Sequence, residues 1–174
     1  MKLHHVRRVA PAAGLAVLLA TAPQPASAAV LAELPAGLGC ADFALRIDAN
    51  GGNLHTQTIR DRNGNPVRII TAGKGVVLTY TNLGPDLDNP VELRAVTIRT
   101  DGSVSQTTFN PDGTQTVVAT GHNGLILFPT DVPAGPTTTH YIGRIVYTVD
   151  PATGVFTLNS TSGSERDICA ELAT

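Results

Sequence analysis

The sequence predicts an all-β protein, an antiparallel β-sandwich or β-barrel of about ten strands. Short runs with the alternation of half-buried strands follow one another and are separated by turn residues. The chain contains 22 threonines and no tryptophan. Threonine and valine favour strands because their branched Cβ packs well on a pleated surface. After residue 28, no segment repeats apolar residues at i, i+3, i+4 and i+7 over a helical length.

The first predicted strand, 43–47, alternates apolar with polar or small residues and ends at Gly51-Gly52. Asp101-Gly102 is a strong signal for a two-residue hairpin turn between two later strands. The remaining predicted strands, in order, are 54–61, 67–72, 76–82, 91–100, 104–109, 114–120, 125–128, 141–149 and 155–159.

Within 91–100 the apolar residues change face, from Val91 and Leu93 to Val96 and Ile98. One extra residue near Ala95 would produce this change, so the sequence predicts a β-bulge there. Bulges bend strands both at sandwich corners and at barrel rims, and the pattern is compatible with either architecture.

The N-terminus has the three parts of a secretory signal peptide. Lys2, Arg7 and Arg8 precede a short apolar stretch, 9–20, and small residues follow up to the A-x-A triplet that ends at Ala28. The apolar stretch is shorter than the roughly 20 residues that a membrane-spanning helix needs. We therefore expect a signal peptide at 1–28, a single β-domain at 29–174, and secretion without a transmembrane segment.

The charge balance argues against nucleic acids and anionic lipids as partners. The chain has 12 basic and 14 acidic residues, and three of the basic ones lie in the predicted signal peptide. Nucleic acids and anionic lipids are bound through accumulated Lys and Arg. An acidic mature domain is therefore not expected to bind nucleic acid.

The two cysteines, Cys40 and Cys169, lie near the start and the end of the predicted mature domain. An exported chain meets an oxidising compartment, where a lone pair of cysteines usually forms a bridge. A redox pair would favour C-x-x-C spacing, which is absent. We predict a structural Cys40–Cys169 disulfide that closes nearly the whole domain.

Three histidines follow the signal peptide, and none has the H-x-H or H-x-x-x-H spacing of a zinc site. His122, before Asn123-Gly124, is expected in a loop. His140, Tyr141 and Arg144 open the longest predicted strand and are the candidate ligand-binding residues, as polar groups that would face into a cavity.

The loop before residue 91 places Asp86, Asp88 and Asn89 close together. Calcium takes several oxygen ligands, and extracellular domains often bind it weakly in loops. These three residues are the candidate metal ligands, for a weak Ca²⁺ site. The alternative is that they only form the turns that such Asx-Pro clusters favour. No other cofactor is predicted.

Three short segments resemble a group of small exported β-proteins that is common in actinobacteria. They are Cys40-Ala41-Asp42-Phe43, Leu78-Thr79-Tyr80-Thr81-Asn82-Leu83 and Asp167-Ile168-Cys169-Ala170. The resemblance implies the same layout, in which a first and a last cysteine flank a β-domain. It transfers no activity and no catalytic residue.

The sequence contains no G-x-S-x-G and no other local catalytic motif. It therefore favours a non-enzymatic secreted β-domain that binds a small molecule, a surface polymer or a protein. The alternative is a small barrel enzyme, resembling an isomerase or cyclase, that uses a buried cavity and needs no local motif.

Overall fold

The computed structural model describes residues 28–173, so the predicted signal peptide, apart from Ala28, lies outside the described residues. These residues form ten strands and one short helix. They are β1 Ala29–Leu34, β2 Leu45–Asn50, β3 Asn53–Arg60, β4 Pro66–Lys74, β5 Val77–Asn82, β6 Arg94–Arg99, β7 Val104–Phe109, β8 Gln115–Leu127, β9 Thr137–Val149, β10 Phe156–Asp167 and α1 Ile168–Ala173.

The strands form two antiparallel sheets, which confirms the predicted all-β class. The smaller sheet has the order β1-β2-β5-β6, and the larger one has the order β10-β9-β8-β7-β4-β3. In each sheet the first and last strands do not pair with each other, so neither sheet closes into a barrel. The architecture is therefore a β-sandwich.

The main core lies between the smaller sheet, helix α1 and the second half of β8. Leu45, Ile47 and Tyr80 contribute from the smaller sheet, and Ile126 packs against them from β8. The Tyr80 hydroxyl lies so close to β8 that a Cβ on Gly124 would come within 2.3 Å of it. Burial raises the pKa of Tyr80 to about 12. The absence of a side chain at position 124 thus allows the sheets to approach each other.

The three long strands of the larger sheet share a row of glycines. Gly143 on β9 pairs with Gly121 on β8 and with Gly163 on β10. All three have positive φ, at 147°, 88° and 104° respectively. A Cβ on Gly143 would lie 2.1 Å from the Ser162 carbonyl oxygen. Only glycine adopts this backbone conformation readily at such close approach.

The chain path shows that these strands bend strongly. Phe156 and Gln115, the first residue of β8, pair with Val149 from opposite sides and therefore lie about 10 Å apart. Val132 follows the last residue of β8 by five residues, which span at most about 17 Å. An extended strand of this length would measure about 43 Å. Nevertheless the Val132 amide donates to the Phe156 carbonyl at 2.8 Å, so the strands fold back on themselves.

The concave face of this bend holds a second apolar cluster that includes Leu125, Tyr141 and Ile145. Buried Asp131 connects the loop after β8 to the start of β10. Its carboxylate accepts hydrogen bonds from the Phe128 amide at 2.6 Å and from the Phe156 amide at 3.0 Å. The carboxylate thereby satisfies backbone donors at both ends of the folded sheet.

Helix α1 joins the end of β10 to the core and carries the disulfide. The sulfur atoms of Cys169 and Cys40 are bonded, with Cα atoms 5.5 Å apart. Ile168 and Leu172 are fully buried, and Asp167 caps the helix by accepting from the Ala170 amide at 3.0 Å. Two buried apolar residues are too few to form a helical pattern in the sequence.

Several element boundaries differ from those predicted. Strand β1 was not predicted, β8 is one strand where two were expected, and β10 continues to Asp167 beyond the predicted end at 159. The bulge predicted near Ala95 is wrong, because β5 and β6 pair without a register shift. Val91 and Leu93 precede β6, and their amides bond instead to the carbonyls of Leu83 and Asn82.

Candidate ligand-binding cleft

A cleft of about 220 Å³ opens where the two sheets diverge. Its apolar wall includes Leu54 on β3, Leu78 on β5 and Val76, which directly precedes β5. Its polar side includes Ser105 on β7 and His122 on β8. Both sheets thus contribute to one small, partly apolar recess, the kind of place where proteins bind small molecules.

His122 reaches this recess because of the glycine bend. It directly follows Gly121, at which β8 turns away from its first half, and it lies on the face of β8 that carries Gly124 and Ile126 toward the smaller sheet. The sequence placed His122 in a loop because Gly121 and Gly124 flank it. The sequence did contain one indication of a continuous strand. The buried residues on both sides of the glycines all have odd numbers, as expected for one face of a single strand: Val117, Ala119, Leu125 and Leu127.

The side chain of His122 contacts the side chain of His140 on the neighbouring strand. Nδ1 of His122 lies 3.3 Å from Nε2 of His140, and the ring centroids are 5.5 Å apart. The separation of the centroids exceeds that of the nitrogens by nearly two ring radii, so the nitrogens face each other as in an N–H···N hydrogen bond. This contact leaves Nε2 as the ring nitrogen of His122 that has no hydrogen-bond partner within residues 28–173.

His140 is completely buried. Burial, together with the positive charges of His122 and Arg166 and against the opposing effect of Glu171, lowers its pKa from 6.5 to about 4. The imidazole is therefore neutral at neutral pH. Among the described residues, its Nδ1 atom has no hydrogen-bond partner. His140 is thus a buried, neutral partner for the ring of His122.

The buried imidazole is expected to make stability depend on pH. The unfolded chain takes up a proton as pH falls below 6.5, whereas folded His140 does so only near pH 4. Its contribution to stability is complete above pH 6.5 and is lost as pH falls toward 4, by about 2–3 kcal/mol. Urea unfolding between pH 7 and pH 4 measures this loss. The variant H140Q should show a flatter profile, and an equally steep one would contradict the assignment to His140.

Ser103 also lies beside His122, but its hydroxyl is engaged with the backbone. Its Oγ lies 2.8 Å from the Thr100 carbonyl and 2.6 Å from the His122 carbonyl, and it accepts from the His122 amide at 3.1 Å. A serine nucleophile would require a bond to the imidazole nitrogen of a base. This serine instead fixes the backbone at the bend.

The structure does not bring the three predicted ligand-binding residues together. His140 faces the smaller sheet, whereas Tyr141, the next residue, points to the opposite face and packs in the concave cluster. Arg144 lies beyond the glycine bend and is exposed. Of the three, His140 touches a residue of the cleft.

The predicted calcium ligands lie in the loop between β5 and β6. Asp86 accepts from the Asp88 amide at 3.0 Å and from the Asn89 side-chain amide at 2.8 Å, and these bonds lower its pKa. The loop's own donors thus engage both carboxylate oxygens, as in an Asx turn. Across residues 28–173, no group of three or more His, Cys, Asp or Glu side chains is arranged to hold a metal. The weak Ca²⁺ site remains a prediction.

Comparison with known proteins finds no matching family model, no curated relative and no solved structure of similar fold. Within the described part of the chain, no helix combines the length and hydrophobicity needed to cross a membrane.

Proposed function

We propose that this protein is an exported, non-enzymatic binding domain that holds a small molecule in the cleft between its sheets. The observation that carries the proposal is the combination of an apolar wall, Leu54, Val76 and Leu78, with the imidazole of His122, whose Nε2 has no hydrogen-bond partner among the described residues. A ligand with an apolar body and one hydrogen-bonding group complements such a recess. Its volume of about 220 Å³ lies below that of most drug-sized sites, so it suits a small ligand or one end of a larger one.

The engagement of Ser103 with the backbone favours binding over hydrolytic chemistry at this cleft. The contact of His122 with a neutral partner favours a hydrogen-bonding role for His122, because the buried ring of His140 resists protonation. Export is supported by the N-terminal pattern of the sequence and by the disulfide, since such bridges persist in oxidising compartments.

Two substitutions separate the ring nitrogens of His122. Asparagine keeps a polar atom near the position of Nδ1, whereas glutamine keeps one near Nε2. We expect H122N to weaken binding of the fluorescent probe 8-anilino-1-naphthalenesulfonate about 5- to 10-fold. The sulfonate of the probe would lose the hydrogen bond from Nε2 of His122, which is worth about 1 kcal/mol. H122Q should retain most of the affinity. Fluorescence titration of each variant at neutral pH measures both values.

The matched control is H55N on β3, where the histidine is exposed and outside the cleft. It should bind the probe like the parent protein. Absence of saturable binding by the parent, or equal affinities for H122N and H122Q, would contradict the proposed site. A product formed from a panel of small carbonyl compounds would instead support the barrel-type enzyme that the sequence left as an alternative.

A further inference from the structure

Strand β3 forms one edge of the larger sheet and offers an unobstructed row of backbone hydrogen-bonding groups. All eight of its residues are exposed. From Asn53 to Ile59 it contains no Asp, Glu, Lys, Arg, Pro or Gly. The register shift in its pairing with β4 lies at the last step, between Ile59 and Arg60, so the preceding part is regular.

The other three sheet edges carry features that hinder pairing. Strand β1 has a register shift after Val30 and carries Glu33. Strand β6 exposes Arg94 and Arg99. Strand β10 is partly covered by Val132, which bonds to the backbone of Phe156 and Leu158. Strand β3 is therefore the edge that lacks features hindering the addition of another strand. Edges of this kind are the ones that pair with further strands.

We propose that β3 is a dimerisation strand, which pairs antiparallel with β3 of a second copy of this chain about a two-fold axis. Such a symmetric contact uses the same patch on both copies, so the patch must complement itself. With the axis at Thr56, that residue faces its own copy, His55 faces Gln57 and Leu54 faces Thr58. No like charges meet in this register, because residues 53–59 include no Asp, Glu, Lys or Arg.

The β3–β4 hairpin already contains a threonine–threonine contact of the kind that the dimer would add. Thr56 and Thr71, which are paired across β3 and β4, have their hydroxyl oxygens 3.1 Å apart. A second Thr56 would lengthen this cross-strand row. Because one strand pair buries a small interface, the association is expected to be reversible and dependent on concentration. The proposal does not depend on ligand binding in the cleft.

A charge exchange at Thr56 tests the proposal. Sedimentation equilibrium of the untagged protein should show an average mass that rises with concentration toward that of two chains. T56K and T56E should each weaken association at least 10-fold, because like charges then meet at the axis. Their equimolar mixture should recover association, because Lys and Glu attract across the same contact.

The matched controls are T120K and T120E, at an exposed threonine on the interior strand β8. They should associate like the parent protein, and thermal unfolding should show that all four variants are folded. A parent protein that stays monomeric at every concentration would overturn the proposal. So would a dimer that persists in T56K and T56E, since it would use another surface.

Discussion

Replacing both Cys40 and Cys169 with serine is expected to lower the free energy of unfolding by about 3–5 kcal/mol. The bridge spans 129 residues of sequence, so it closes nearly all of the described chain into one loop and restricts the unfolded ensemble strongly. It also fastens α1, whose Ile168 and Leu172 are fully buried in the main core. Urea unfolding of the parent and the double variant in oxidising buffer measures the difference.

The control is reduction of the parent protein with dithiothreitol. Reduction should bring the parent close to the double variant and leave the variant unchanged. An unfolding free energy in the double variant equal to that of the oxidised parent would show that the bridge does not stabilise the fold.

The variant G143A is expected to lose about 3–5 kcal/mol of stability. The residue has a φ of 147°, and a new Cβ would lie 2.1 Å from the Ser162 carbonyl oxygen and 3.0 Å from the Cα of Gly163. Both neighbours belong to the backbone of a paired strand, which cannot rotate away as a side chain does. Relief requires β9 and β10 to separate at the bend.

Gly113 offers a matched control, because its φ is 88° and a Cβ there would meet nothing within 4 Å. G113A should cost only about 1–2 kcal/mol, for the left-handed backbone alone. Urea unfolding of the two variants separates the steric effect from the conformational one. Equal losses would mean that the glycine row is not closely packed.

The glycine row also links the fold to the candidate site. His122 directly follows Gly121, so the bend that brings Val132 to Phe156 also directs the histidine ring toward the smaller sheet. A relaxed bend should move His122 relative to Ser105, which lies beside the half of β8 that precedes the bend. We therefore expect the cleft to depend on the same backbone geometry that stabilises the sandwich.

Much of the fold was predictable because strand alternation and turn residues are local signals. Strands such as β5 and β7 closely match the predicted ranges. The predicted break between residues 120 and 125 is wrong. Gly121 and Gly124 indicate a turn when the local sequence is considered alone, but β8 continues through them as a bent strand because β9 pairs with it along its whole length. The predicted strand 155–159 excludes the serine-rich end of β10 for a similar reason. Its order comes from pairing with β9, which the local sequence does not encode.

The candidate site was predictable only in part. His140 was singled out as an inward polar residue at the start of a long strand, and it is buried. Its partner His122 was not, because the contact joins residues 18 positions apart through the register of two strands. Tyr141 and Arg144 were grouped with it by sequence proximity, although neighbours on a strand point to opposite faces.

By itself, the sequence determined the all-β class and most of the strands, because period-two alternation and turn residues act over a few positions. It also indicated the one possible cysteine pair. The tertiary structure alone decided the alignment of three glycines, the meeting of His122 with His140, and the exposure of β3 as an edge. These features depend on which strands pair and in which register, and that choice rests on packing between segments distant in the chain.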